Sequence, residues 1–160
     1  MVTKKEDLQG AIDEAFKHDH LLLVETFVAG VETTVAVLGN EDPEALPVIE
    51  IVPQESSAFY DFEAKYAPGG CTHIIPARIP AEQFKEAQRI AVEAHKALGC
   101  SGVSRTDIIC NPSGEMWILE TNTLPGMTAT SLLPDAAKEV GIEFGPLCKL
   151  MVELALEKKN

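Results

Sequence analysis

The amino-acid sequence predicts an α+β fold in which a largely antiparallel sheet packs against helices. β-branched and apolar runs are joined by hairpin-like links, most clearly Val103 to Cys110 and Met116 to Thr121 around the turn-forming run Asn111 to Gly114. Helical patterns with one apolar face stand between and after these runs. With 160 residues, 46% of them hydrophobic, we expect one domain with a substantial core.

The first half of the chain predicts one helix followed by strands. Lys4 to His18 is an amphipathic pattern with Leu8, Ile12 and Phe16 spaced four apart. Ser56 to Gly70 is predicted to be an irregular excursion. β-forming runs predict strands at Leu21 to Phe27, Thr33 to Leu38, Leu46 to Val52 and His73 to Ile75.

The second half predicts three helices. Ala81 to Leu98 has the strongest pattern and ends at Gly99; its apolar stripe is Phe84, Ala87, Ile90, Ala91, Ala94 and Leu98. After the hairpin, a short helix is predicted around Leu133 to Val140, and a last helix over Glu143 to Glu157.

Composition limits the partners. A formal charge of −12 argues against nucleic-acid and membrane-surface binding, because both favour basic patches. The four scattered cysteines form no C-x-x-C motif, and no apolar run is long enough to span a bilayer. We therefore expect thiols in a reducing, cytoplasmic environment.

Two acids and an amide interrupt the apolar hairpin sequence: Asp107, Glu120 and Asn122. Ionised side chains are expensive in such surroundings unless they are paired or metal-bound, and oxygen ligands of this kind suit Mg²⁺. An even-length loop between the strands would place these three residues and Arg105 on one face, whereas an odd loop would separate them.

Two registers of this hairpin are possible with an even loop. A Pro112-Ser113 loop would set Asp107 opposite Ile118, and a loop from Pro112 to Glu115 would set it opposite Glu120. The alternative interpretation of these residues is a solvated hairpin face with a surface ion pair, which contributes little stability. Trp117 is predicted to lie on the face opposite Glu120, as a packing residue.

Four runs together resemble the D-alanine–D-alanine ligases of the ATP-grasp superfamily. They are Glu25 to Glu32, Phe59 to Tyr66, Gly99 to Asp107 and Leu119 to Thr128. The resemblance covers essentially the whole chain, in the family's order, but family members are about twice as long. It implies a C-terminal ATP-grasp subdomain over residues 1–160, a fragment or isolated domain without the N-terminal substrate domain and the first nucleotide-binding subdomain.

The resemblance also implies roles for the hairpin and for the run after it. Asp107, Glu120 and Asn122 would hold two Mg²⁺ (or Mn²⁺) ions that bridge the terminal phosphates of ATP. Catalytic roles fall on Arg105, which would stabilise the acyl-phosphate and the tetrahedral intermediate, and on the Gly126 N–H in an oxyanion hole. Ser131 and Leu132 would bind the carboxylate of the second D-alanine. Without the resemblance, Ser131 is an equally good helix N-cap.

Upstream residues would hold the nucleotide. The Glu25 to Val28 backbone would bind the adenine edge, with Phe27, Val28 and Leu119 lining its pocket and Glu32 accepting from the ribose hydroxyls. Phe59 would cover the base, Lys65 would bind the phosphates, and Tyr66 would sit on a loop that closes over the substrate. From the residues alone, core packing is at least as good an interpretation of Phe27 and Leu119, and a solvated loop is the alternative interpretation of Lys65-Tyr66.

The leading hypothesis is therefore an ATP-dependent ligase of two D-alanines in cell-wall precursor synthesis, with this chain inactive when alone. The second is a non-catalytic nucleotide- or metal-binding module that pairs with another chain. The third is an ATP-grasp enzyme with a different substrate. Leu21 to Val24 is predicted to border the surface of the missing half, which makes self-association plausible.

Overall fold

The computed structural model describes residues 1–53 and 71–157, and its centre is one antiparallel sheet. Strands run in the order β4-β3-β1-β5-β6, and β2 pairs with β1 beside this path. The strands are β1 Val31–Gly39, β2 Glu44–Ala45, β3 Ile49–Pro53, β4 Cys71–Ile74, β5 Gly102–Cys110 and β6 Met116–Asn122. The predicted α+β class is confirmed, whereas the predicted excursion from Ser56 to Gly70 lies outside the described residues.

Four α-helices accompany the sheet in the described part of the chain. They are α1 Leu8–Ala15, entered through a 3-10 turn at Lys5–Asp7, then α2 Ala81–Ala97, α3 Leu132–Glu139 and α4 Phe144–Glu157. The prediction of α2 is confirmed, and Gly99 follows its end with φ +63°, a conformation that favours glycine. No helix in residues 1–53 and 71–157 is long and apolar enough to cross a membrane.

One predicted strand is wrong. Leu21 to Phe27 forms no strand, and its large side chains are exposed: Leu21 76%, Leu23 83%, Val24 73% and Phe27 69%. An apolar run signals a segment suited to burial, but a strand also needs a neighbour for its backbone hydrogen bonds. Within the described residues, no strand pairs with this segment.

Helices cover the two faces of the sheet unequally. On one face, Val35, Val37, Ile108 and Cys110 pack against Ala87 and Ala91 of α2. On the other face, α3 and α4 cover one end, where Leu38, Ile49 and Val103 meet Leu133 and Leu147. Farther along β5, this second face carries Arg105, Asp107 and Ile109, because side chains two residues apart share a face.

Candidate functional site

The hairpin between β5 and β6 contains a β-bulge that brings the polar side chains together. Cys110 pairs with Met116, so the connecting loop is the five-residue segment Asn111–Glu115. Such an odd loop would separate the acids if the ladder stayed regular. Instead, Ile108 pairs with Ile118 and the next pair is Asp107 with Glu120, which leaves Leu119 as the extra residue of a bulge.

Of the two predicted registers, the structure has the one with Asp107 opposite Glu120. It is reached with a five-residue loop and a bulge instead of the predicted even-length loop. Asp107 lies opposite Glu120, and Arg105 lies opposite Asn122. The same register corrects the prediction for Trp117, which pairs with Ile109 and therefore shares the face of Asp107 and Glu120. That prediction was wrong because it assumed a regular alternation from Trp117 to Glu120.

Asp107 is buried and held from two directions. It is 4% exposed, and its Oδ1 accepts a 2.5 Å hydrogen bond from the Thr34 hydroxyl on the neighbouring strand β1. Arg105 donates a bidentate pair of hydrogen bonds to it, at 3.1 Å from Nε to Oδ1 and 3.0 Å from Nη2 to Oδ2. Since a carboxylate offers about four acceptor positions, these three bonds leave room for a further partner on Oδ2.

Thr34 was missed by sequence reasoning. It is 1% exposed, pairs with Asp107 in the ladder and fixes the orientation of the carboxylate. The one available signal was a hydroxyl in an otherwise apolar strand, and β-branched threonine is too common in strands for that signal to stand out.

The ligand candidates on β6 lie nearer to solvent than Asp107. Glu120 is exposed, while Asn122 is half-buried and its Oδ1 accepts a 2.9 Å hydrogen bond from the Leu124 N–H. Two carboxylates and an amide oxygen are the donor set of Mg²⁺ or Mn²⁺ rather than of a thiolate-seeking metal. In the described ranges, no group of three or more His, Cys, Asp or Glu side chains could hold a metal ion. The candidate set lies below that number, because Asp107 and Glu120 belong to these residue types and Asn122 does not.

Gly126 and Ser131 approach each other closely at the start of α3. A Cβ on Gly126 would lie 2.9 Å from Ser131 Oγ, so a side chain there would require the Ser131 hydroxyl to move, whereas φ at Gly126 is not unusual. Ser131 occupies the N-cap position, but its hydroxyl makes no capping bond to the helix. It accepts instead from the Thr128 N–H at 2.9 Å, which shapes the loop that carries Gly126.

A cavity of about 910 Å³ adjoins the hairpin. Four of the predicted nucleotide residues line it: Glu25, Phe27, Val28 and Leu119. Ile109 lines it as well and pairs with Glu32 on β1, which puts Glu32 at the same end of the same face. The bulge therefore aligns the carboxylates and also supplies the cavity with a wall residue, Leu119.

Phe59, Lys65 and Tyr66 lie outside the described residues. The other predicted residues fall into three groups, namely the hairpin face, the cavity, and the loop before α3 together with Leu132, the buried first residue of that helix.

Comparison with known proteins shows the family to which this chain belongs. The model of the family described as the D-ala D-ala ligase C-terminus matches residues 1–153. The chain belongs to this family. It is 51% identical over 156 residues to the D-alanine–D-alanine ligase of Pelotomaculum thermopropionicum, covering 98% of this chain and 48% of that protein.

Solved structures of D-alanine ligases share the fold. One is the VanG D-Ala:D-Ser ligase from Enterococcus faecalis, with a TM-score of 0.78 and 40% identity over 94% of this chain and 43% of that one. Another is the D-alanine–D-alanine ligase from Bacillus anthracis complexed with ATP, with a TM-score of 0.78 and 28% identity over 98% and 48%. The chain spans about half the length of the curated relatives it matches.

Proposed function

We propose that this chain is the nucleotide- and metal-binding part of a D-alanine–D-alanine ligase, which joins two D-alanines in peptidoglycan precursor synthesis. The observation that carries the proposal is the pair Asp107 and Glu120, opposed across the hairpin beside a cavity lined largely by apolar side chains. Family membership narrows the chemistry of such a pair to ATP-dependent ligation.

The adenine enters the cavity. Phe27, Val28 and Leu119 supply apolar contact, the Glu25 to Val28 backbone bonds the polar edge of the base, and Glu32 accepts from the ribose hydroxyls. A volume of about 910 Å³ lies within the range of small-molecule pockets, which supports this assignment. Phe59 over the base and Lys65 on the phosphates complete the nucleotide site.

Asp107, Glu120 and Asn122 would hold two Mg²⁺ or Mn²⁺ ions. When bound, such ions neutralise charge on the transferring phosphoryl group. The Thr34 and Arg105 bonds support the assignment, because they fix the buried Asp107 carboxylate before any ligand arrives.

In the reaction, the remaining residues stabilise charge and position the substrates. The carboxylate of one D-alanine accepts the γ-phosphoryl group of ATP, and the amine of a second displaces phosphate from that acyl-phosphate. Arg105 and the Gly126 N–H stabilise the developing negative charge, while Ser131 and Leu132 hold the carboxylate of the second D-alanine. Tyr66 belongs to the loop that closes over the substrates.

The experiment is a phosphate-release assay on the intact ligase that contains this chain. We expect D-alanine-dependent release of phosphate, with D-serine and D-lactate much poorer as second substrates. Equal or better use of D-serine or D-lactate would overturn the substrate assignment. The isolated chain should release no phosphate above background, because it spans about half of its relatives.

A half-enzyme that needs a separate partner chain is the second candidate, and the same half-length coverage favours it. Mixing this chain with a separately produced N-terminal half of a relative should then restore phosphate release. A mixture that binds nucleotide but stays inactive would favour a non-catalytic module instead.

The exposed apolar segment indicates where a partner would bind. Leu21, Leu23 and Val24 are each more than 70% exposed. We expect the isolated chain to self-associate through this surface, with sedimentation velocity reporting dimers that Leu23→Glu removes. A monomer at all concentrations would contradict this.

All four cysteines are thiols rather than disulfides, which suits a cytoplasmic enzyme.

A further inference from the structure

Three reactive side chains contact one another in a row, at the opposite edge of the sheet from the β5–β6 hairpin. Cys71 Sγ is 3.4 Å from His73 Nε2, and His73 Nδ1 is 2.7 Å from Asp135 Oδ2. Cys71 and His73 are two residues apart on β4 and share a face, while Asp135 comes from the first turn of α3. The side chains of His73 and Asp135 are 18% and 33% exposed, and Cys71 is half-buried.

The order of contacts assigns a role to each group. An ionised carboxylate only accepts hydrogen bonds, so Asp135 takes the Nδ1–H of His73. That choice leaves the Nε2 lone pair of His73 facing Cys71, where it can accept the thiol proton. Cysteine nucleophiles in enzymes are activated by the same sequence of thiol, imidazole and orienting group.

We propose that Cys71 is a thiol-modification site that reacts with low-molecular-weight disulfides. His73 accepts the Cys71 proton, and the thiolate attacks one sulfur of the disulfide. The disulfide bond breaks as the new Cys71 mixed disulfide forms. The second sulfur leaves as a thiolate and takes the proton from His73, so no other oxidant is needed.

Within residues 1–53 and 71–157, the charged side chains of β3 and α3 other than Asp135 lie on the other face of the sheet or are exposed. Strand β3 presents Ile51 opposite His73, and its acid Glu50 points to the other face, where it binds Arg78. On α3, the other charged side chains are Lys138 and Glu139, and both are exposed.

The other cysteines provide internal references. Cys110 is 1% exposed, and burial raises the pKa of its thiol. Cys100 and Cys148 are half-buried like Cys71, but their thiols make no hydrogen bond to a histidine side chain within residues 1–53 and 71–157. They therefore report the rate of an accessible thiol without the relay.

The first experiment is alkylation by iodoacetamide at pH 7, with the rate at each cysteine measured by peptide mass spectrometry. An ordinary thiol is a few per cent ionised at this pH, so full ionisation raises the rate by at most about thirtyfold. The weaker nucleophilicity of a more acidic thiol reduces this gain to roughly tenfold. We expect Cys71 to react about tenfold faster than Cys100 and Cys148; equal rates would overturn the proposal.

Two variants separate activation from structure. His73→Asn should lower the Cys71 rate to that of Cys100 and Cys148, and should move the rise of its pH–rate profile to higher pH. Asp135→Asn, at a positioning residue, should move the same profile part of the way. Unchanged Cys71 profiles in both variants would overturn the relay. Unchanged rates at Cys100 and Cys148 verify that the fold is intact, and His73→Gln replaces His73→Asn if that variant unfolds.

The second experiment uses glutathione disulfide as the probe. We expect the first mixed disulfide on the peptide that contains Cys71, reversible by dithiothreitol and slowed by His73→Asn. First modification at Cys100 or Cys148 would overturn the proposal. Neither experiment involves nucleotide or D-alanine, so its failure is independent of the proposed ligase function.

Discussion

Asp107 and Glu120 lie opposite each other because Leu119 is an extra residue between two regular stretches of ladder. Without that bulge, the five-residue loop would set Asp107 opposite Leu119. The bulge also gives the 910 Å³ cavity its Leu119 wall. One local irregularity therefore supports both the metal and the nucleotide parts of the proposed site.

Deletion of Leu119 should separate these two parts. The shortened β6 would still carry Glu120 opposite Asp107 in a regular ladder, but the cavity would lose its wall residue. We expect Mn²⁺ binding, followed by electron paramagnetic resonance, to survive while Mg-ADP affinity falls at least tenfold. Leu119→Ala, which keeps the bulge, is the matched control and should lose less affinity. Loss of Mn²⁺ binding in the folded deletion variant would mean that the bulge itself shapes the metal site.

The buried Arg105–Asp107 pair should dominate the stability of the hairpin face. Their side chains are 12% and 5% exposed, so Asp107→Ala removes a counter-charge from a nearly buried guanidinium. Removing one partner of a buried pair costs about 3–5 kcal/mol, against about 1 kcal/mol for a single neutral hydrogen bond. Urea unfolding should thus report a much larger loss for Asp107→Ala than for Thr34→Val. Comparable losses would mean that the ion pair contributes little.

The hairpin also shows what the sequence could and could not predict. Apolar periodicity and the turn residues were sufficient to place β5, β6 and α2 within one or two residues. The bulge was not predictable, because no Gly or Pro marks Leu119 as an extra residue. The strand predicted over Leu21 to Phe27 failed because an apolar run does not reveal what covers it.

Histidine protonation should weaken the fold in mild acid. His95 is 1% exposed, and burial lowers its pKa below the ordinary 6.5, while its Nδ1 pairs with the Ser104 hydroxyl at 2.8 Å. The unfolded chain therefore binds a proton near pH 6.5 that the folded chain resists, so stability is complete above that pH and falls as the pH decreases.

Melting temperatures from pH 8 to pH 5 test this expectation. The pKa of Glu50 is lowered by its Arg78 partner, so its contribution to the free energy of unfolding should be lost at a lower pH than that of His95. The effects of the two residues are therefore separated in pH. His95→Gln should flatten the decline between pH 6.5 and pH 5. The same decline in His95→Gln as in the parent would assign it to another group.

Gly126 should tolerate a side chain only when Ser131 gives way. In Gly126→Ala, the new Cβ would lie 2.9 Å from Ser131 Oγ but 3.6 Å from Ser131 Cβ, which is ordinary contact. We expect a loss of about 1 kcal/mol in the free energy of unfolding, at the low end for overpacking because a hydroxyl can rotate. In a Ser131→Ala background, Gly126→Ala should cost little, giving a clear coupling in a double-mutant cycle. Additive losses would contradict the close approach.

This chain should bind Mg-ADP on its own if its proposed metal and nucleotide sites are already formed. Calorimetric titration of Mg-ADP, with an Asp107→Asn, Glu120→Gln double variant beside the parent, tests it most directly. We expect binding by the parent and loss of binding by the variant, with circular dichroism showing both folded. A folded parent that binds no Mg-ADP, or a variant that binds as well as the parent, would contradict it.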